Sequence, residues 1–275
     1  MIVKRHVLVL AFALVCMAML TTLFGASRSS ASTTPGPSKL ALIKQNDLAA
    51  IGKKYAPNFN WIACGLSTAG RNGTKTGTCR KGQVPIYASY WALKKAIRSG
   101  RVKPGMTILF DQEIWKWTPA REQAHPEYYI RAAAQLAHAN GVFIIESVYE
   151  PTTAGEIAVE VAAAPYADVI SIQSQKSDQH PGRFTSYVSQ SVAAIRAVSP
   201  TVPIMAGLAT DAGGQPITAG EMTREYDQTY NMVSYFWLNA AEWAPPRGTG
   251  CAPRGCGRVG DRFLADIGVG ASRAG

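Results

Sequence analysis

The sequence is poor in charge, in histidine and in long apolar runs. Only 17% of its 275 residues are charged while 47% are hydrophobic. That excludes a highly charged disordered chain and leaves apolar material for a core of domain size. No run long enough to span a bilayer occurs after position 25, which excludes a protein of several membrane spans. The four histidines and the carboxylates show no metal-ligand spacing, so neither a metal nor a cofactor is expected. There is no Gly-x-Ser-x-Gly elbow, no His-Glu-x-x-His helix and no phosphate-cradling P-loop, and no Gly-x-Gly-x-x-Gly turn follows the first strand. The net charge is +10, but no zinc-finger or aromatic-glycine RNA-binding pattern accompanies it, so no nucleic-acid partner is expected.

What is present begins with an address. Lys4 and Arg5 precede a nearly unbroken apolar stretch, Val7–Leu20, and small residues follow through Ala31. This is the pattern of a secretory signal over 1–31, cleaved after Ala31. Cys16 follows Val15 where a lipid-attachment site needs a small residue, so lipidation is rejected. The expected mature protein is secreted, extracellular and free of the membrane, with a charge of +7 once Lys4, Arg5 and Arg28 are gone. A Ser/Thr/Pro-rich linker follows over 32–39, then a barrel domain over 40–245. A Gly/Arg-rich segment over 246–275 could complete that barrel.

Export governs the cysteines. Cys64, Cys79, Cys251 and Cys256 are an even set expected in an oxidising compartment as disulfides. Three connectivities are open, and the sequence-local one pairs Cys64 with Cys79 and Cys251 with Cys256. A structural zinc lacks the close cysteine pair it would need.

Seven short apolar runs read as strands: Phe59–Cys64, Pro85–Ser89, Thr107–Asp111, Val142–Ser147, Asp168–Gln173, Val202–Leu208 and Met232–Leu238. Their starts lie 22 to 35 residues apart, the length of a strand plus a returning helix. Helices are delimited chemically: Pro126–Asn140 ends at Asn140-Gly141, Arg183–Val198 stops before Pro200, and Thr153-Ala-Gly-Glu156 and Thr218-Ala-Gly-Glu221 read as capping boxes. Consecutive apolar residues such as Ile108-Leu109-Phe110 imply strands buried on both faces. The fold class is therefore α/β, a (β/α)8-type TIM barrel. The dinucleotide-binding open sheet loses support without its glycine turn. An eighth strand would be Arg262–Ile267, or the barrel is incomplete.

In such a barrel the chemistry sits where strands end. The residues there include Trp91; Asp111, Glu113, Trp115 and Trp117; Glu146 and Tyr149; Gln173 and Gln175; and Trp237, Asn239, Glu242 and Trp243. Flat aromatics beside carboxylates and amides suit a sugar, whose faces stack on rings and whose hydroxyls bond to the polar groups. Residues two apart share a strand face, so Asp111 and Glu113 both point into the lumen beyond Leu109. Neighbouring negative charge raises the pKa of one, leaving an acid beside a carboxylate, as glycoside cleavage requires. Glu146, at the end of the next strand, is the candidate opposing carboxylate. The alternative is that Asp111 caps a loop and Glu113 pairs with an arginine such as Arg121. His180, after Asp178, is the only histidine placed for catalysis, near Ser174.

The Asp111-Gln112-Glu113 ending on a buried strand, with Trp237 near the end of the last strand, resembles the secreted TIM-barrel glycoside hydrolases, most nearly the chitinase-like superfamily. The resemblance covers the general layout and some three residues. It implies that Glu113 protonates the glycosidic oxygen and Asp111 steers it. The family's earlier lumen-facing aspartate falls at position 109, which is Leu109 here, so the resemblance also permits a barrel that binds sugar without cutting it. The expectation is an exported carbohydrate-active protein whose partner is a polysaccharide or glycoconjugate. It is either a glycoside hydrolase with Glu113, Asp111 and Glu146 as catalytic residues, or a non-catalytic carbohydrate-binding or cell-wall-associated barrel.

Overall fold

A computed structural model describes residues 38–67, 79–149, 152–177, 182–212, 215–240 and 255–270. The chain divides into Met1–Thr34 and Pro35–Gly275, and every described residue lies in the second part. The expected signal over 1–31 falls outside the described residues.

Eight parallel strands close on themselves: β1 (Leu40–Lys44), β2 (Trp61–Ser67), β3 (Val84–Tyr87), β4 (Thr107–Glu113), β5 (Phe143–Tyr149), β6 (Val169–Ile172), β7 (Ile204–Ala209) and β10 (Tyr235–Asn239). A two-stranded hairpin, β8 (Asp211–Ala212) with β9 (Gln215–Pro216), interrupts the connection after β7. The protein is thus a (β/α)8 barrel. The seam is where β1 lies between β10 and β2.

Two strand expectations are corrected. The eighth strand is Leu40–Lys44, directly after the linker, and not Arg262–Ile267, which belongs to helix α8 (Gly255–Asp266). α8 packs beside α1 (Gln45–Ile51) and α7 (Ala219–Thr229). Gly257 makes the close approach to α1 feasible: a Cβ there would lie 2.4 Å from the Ala50 carbonyl oxygen.

The remaining helices are α2 (Tyr90–Arg98), α3 (Ala120–Gln123), α4 (Pro126–Ala139), α5 (Thr153–Ala163) and α6 (Arg183–Val198). Side-chain caps start α2, α5 and α7, and Pro126 opens α4. Ser89 accepts from the Ala92 N–H at 3.1 Å, and Thr218 and Glu221 form the expected reciprocal box. α5 differs by one residue. Its cap is Thr152, which accepts from the Gly155 N–H, and this frees Glu156 to be buried in the first turn.

Strand alternation separates two cores. Leu42, Ala63, Val84, Leu109, Ile145, Val169, Met205 and Trp237 fill the lumen. Ile43, Ile108, Phe110, Ile144, Ile170, Ile204 and Phe236 face the helices, where each fully buried side chain contributes roughly 1.5–3 kcal/mol. Trp61, edge-on to Tyr235 at 5.6 Å between centroids, closes the N-terminal end of the lumen with Phe143.

No described helix connects β2 to β3. Residues 79–83 are instead tied back to β2 by the Cys64–Cys79 disulfide, with Cα atoms 5.3 Å apart. Cys256 is also disulfide-bonded, and Cys251 lies outside the described residues. Among the described residues no helix is long and apolar enough to cross a membrane.

Candidate active site at the lumen mouth

The lumen core ends upward at Leu42 and Leu109. One step further along the same strand faces stand Lys44 on β1, Asp111 on β4, Ser147 on β5 and Ser171 on β6, with Gln173 just beyond β6 and Trp237 on β10. Glu113 follows Asp111 on the same face, at the last position of β4. The sequence expectation for Asp111 and Glu113 is met in placement: both are turned into the mouth, and neither pairs with a guanidinium among the described residues.

These side chains form one hydrogen-bonded set. Asp111 stands in register with Ser147 on β5 and two residues before Glu113 on the same face of β4. Gln173 Nε2 donates to Glu113 Oε1 and to Ser147 Oγ, each at 3.1 Å, and Gln175 Nε2 donates to Gln173 Oε1. Burial and the Asp111 charge push Glu113 up to about 8, against the opposing pull of Lys44 and the Gln173 donor. Burial raises Asp111 as well, with Lys44 and the bonds from Ser147 and Glu113 acting against it. Glu113 therefore holds its proton at neutral pH, and Lys44 is the positive charge that acts on both carboxylates. Its Nζ lies 5.8 Å from the centroid of the Trp237 ring.

Gly207 on β7 makes room for this. A Cβ there would stand 2.6 Å from Trp237 Cε2 and 2.7 Å from Gln175 Oε1. Trp237 Nε1 and Gln175 Oε1, a donor and an acceptor meeting over Gly207, are buried with no hydrogen-bond partner among the described residues. The free space above Leu42 and Leu109 is about 10 Å³, room for about one water molecule.

Glu146 is a correction. Ile145 and Ser147 take the lumen face of β5, so the alternation turns Glu146 toward the helices. It is 1% exposed there, with neither oxygen hydrogen-bonded. Burial first, then the nearby Asp168, holds its pKa well above the usual range. It cannot oppose Glu113 across a substrate.

Tyr149 is in register with Glu113 at the end of β5, and Asn239 ends β10 two residues past Trp237. Trp115 and Trp117 are half-buried in the turn after β4. That turn is pinned where Trp115 Nε1 donates to Thr118 Oγ1 at 2.9 Å and Thr118 Oγ1 donates to the Ala88 carbonyl at 2.8 Å. Trp91 stands apart from the lumen set, 47% exposed in the first turn of α2, with Lys94 Nζ 5.0 Å from its ring centroid. Glu242, Trp243, Asp178 and His180 lie outside the described residues. No group of three His, Cys, Asp or Glu side chains that could hold a metal occurs among the described residues.

Sequence reasoning missed Lys44, Ser147 and Ser171. Lys44 ends a strand that is not among the seven runs read as strands, although Leu40-Ala-Leu-Ile is an apolar run of strand length. A scan against protein-family models and a search of the curated proteins both find no match.

Proposed function

We propose that the chain is an exported carbohydrate-active protein, a glycoside hydrolase in which Glu113 is the proton donor and Asp111 its ionised companion. The observation that carries this reading is the placement of two buried carboxylates, Asp111 and Glu113, on one face of β4 at the lumen mouth with Lys44, where burial and the Asp111 charge push Glu113 up to about 8. Glu113 protonates the glycosidic oxygen. The carboxylate it becomes is stabilised by the Gln173 N–H at 3.1 Å and by the positive charge of Lys44. The unpaired Trp237 N–H and Gln175 carbonyl suit one sugar hydroxyl, which can accept and donate at once.

Asp111 and Glu113 stand side by side on one face of β4, so they approach a bound sugar from the same side and do not straddle its bond as the carboxylates of a two-acid mechanism do. With Glu146 turned away, the displacement falls to a group carried by the sugar, as in substrate-assisted cleavage of 2-acetamido sugars. The test is release of reducing ends from oligomers of 2-acetamido sugars. Glu113→Gln should lower turnover about 10²–10⁴-fold while leaving glycan affinity in place.

The second reading is a barrel that binds glycan without cutting it. The burial of Trp237 and the one-water space favour it. It predicts that no reducing ends appear even with the wild-type chain, while tryptophan fluorescence still titrates with glycan. For export, the leader pattern and the Cys64–Cys79 bond are the support.

A further inference from the structure

Between Asp47 and Asp111 the chain has no acidic residue and eleven Lys and Arg. The other 17 basic residues fall one short of the 18 acidic ones, so this stretch alone accounts for the net positive charge. The fold keeps it together as one sector of the barrel, from the end of α1 through β2, β3 and α2 to the start of β4. Arg80, Lys81, Lys95, Arg98, Arg101 and Lys103 are exposed, and none of the six makes an ion pair among the described residues.

The same sector holds a groove of about 840 Å³, within the size range of ligand sites. Its walls run along β2 from Trp61 to Leu66 and along β3 from Val84 to Tyr87, with the start of β4 and the 79–83 connection, where a (β/α) unit would ordinarily place a helix. Trp61 and Tyr87 supply aromatic walls, and Arg80, Lys81 and Arg101 supply the charge. The Tyr87 hydroxyl makes no hydrogen bond among the described residues, and Arg101 is the charge nearest enough to act on it. This groove shares no lining residue with the space beside the carboxylate pair.

We propose that this groove and the adjoining flank of α2 form a second site, one that binds an anionic polysaccharide bearing carboxylate or phosphate groups. Unpaired cations select a polyanion, and aromatic walls suit sugar rings. The Cys64–Cys79 disulfide lines the groove itself and belongs to an oxidising compartment, where polyanions are wall and matrix polymers more than nucleic acids. A concave site with little exposed apolar surface does not suit a bilayer. The sugar backbone of the ligand rests on the carbohydrate reading above; its negative charge does not.

The test is binding of the full chain to polygalacturonate and to poly(glycerol phosphate), the two arms separating carboxylate from phosphate, with dextran, duplex DNA and phosphatidylglycerol vesicles alongside. The expected result is binding to at least one of the two anionic polymers over dextran, weakening as salt rises from about 50 to 200 mM. Arg80→Ala/Lys81→Ala/Arg101→Ala should weaken it about tenfold, three exposed charge contacts together, and Glu113→Gln should leave it unchanged. If the triple variant melts early, Arg101→Glu alone, on an exposed turn, carries the comparison. Equal binding to dextran, binding indifferent to these substitutions, or tighter binding to DNA or vesicles overturns the proposal. Reducing-end release depends on Glu113 and not on Arg80 or Arg101, so failure of the hydrolase reading registers separately.

Discussion

Glu113 is held where its neutral form is favoured, and this has a pH signature. Its folded pKa lies above the unfolded value, so both states are protonated at low pH and no penalty arises. Above the unfolded pKa only the unfolded chain ionises freely, and the fold loses stability as pH climbs toward about 8. Glu113→Gln should therefore raise the Tm relative to wild type near pH 8, with the gap shrinking by pH 4 in thermal melts. If Glu113 is the acid, turnover should fall as pH rises through about 8, read from the pH profile of kcat/KM. Gly207→Ala puts a methyl group into Trp237 and should cost about 1–3 kcal/mol by overpacking, visible as a lower urea midpoint with quenched or shifted indole emission. The Asp111–Glu113 placement was legible because a period of two within one strand needs no other information. Glu146 was not: which face its strand turns inward is settled by register against β4 and β6, and those pairings are non-local.

The elements that were misread are the two whose local pattern is ambiguous. Leu40–Lys44 is five residues of apolar run at the edge of a Ser/Thr/Pro stretch. Arg262–Ile267 is an apolar fragment too short for its period to separate helix from strand, and its helical identity follows from packing on α1 and α7. Long, capped segments such as α4 and α6 were legible because Pro126 and the Asn140-Gly141 and Ser199-Pro200 stops mark their ends chemically. The β2–β3 link is the element whose stability is covalent. Cys64→Ser/Cys79→Ser opens a 15-residue separation and should cost roughly 3 kcal/mol in the loop-entropy account, read as a lower denaturation midpoint than the oxidised wild type. Wild type should fall to the same midpoint in reductant if this bond dominates. Gly257→Ala drives a methyl group against the Ala50 carbonyl, which is backbone and cannot swing aside, so α8 should detach and the Tm drop.

At the scale of the molecule, the even spacing of strand and helix pointed to a parallel barrel, while closure itself depended on contacts between the two ends of the sheet. Removing residues 255–275 takes away Phe263 and Leu264, both 0% exposed in the intact chain, and should lay bare the faces of α1 and α7 on which α8 packs, abolishing a cooperative melt by calorimetry. The seam carries a further consequence for biogenesis. The strand made first, β1, gains its second neighbour only when β10 has been synthesised, almost two hundred residues later. Until then the growing cylinder has two open edges. A ribosome-bound chain is thus prevented from zipping shut until its last strand has been made.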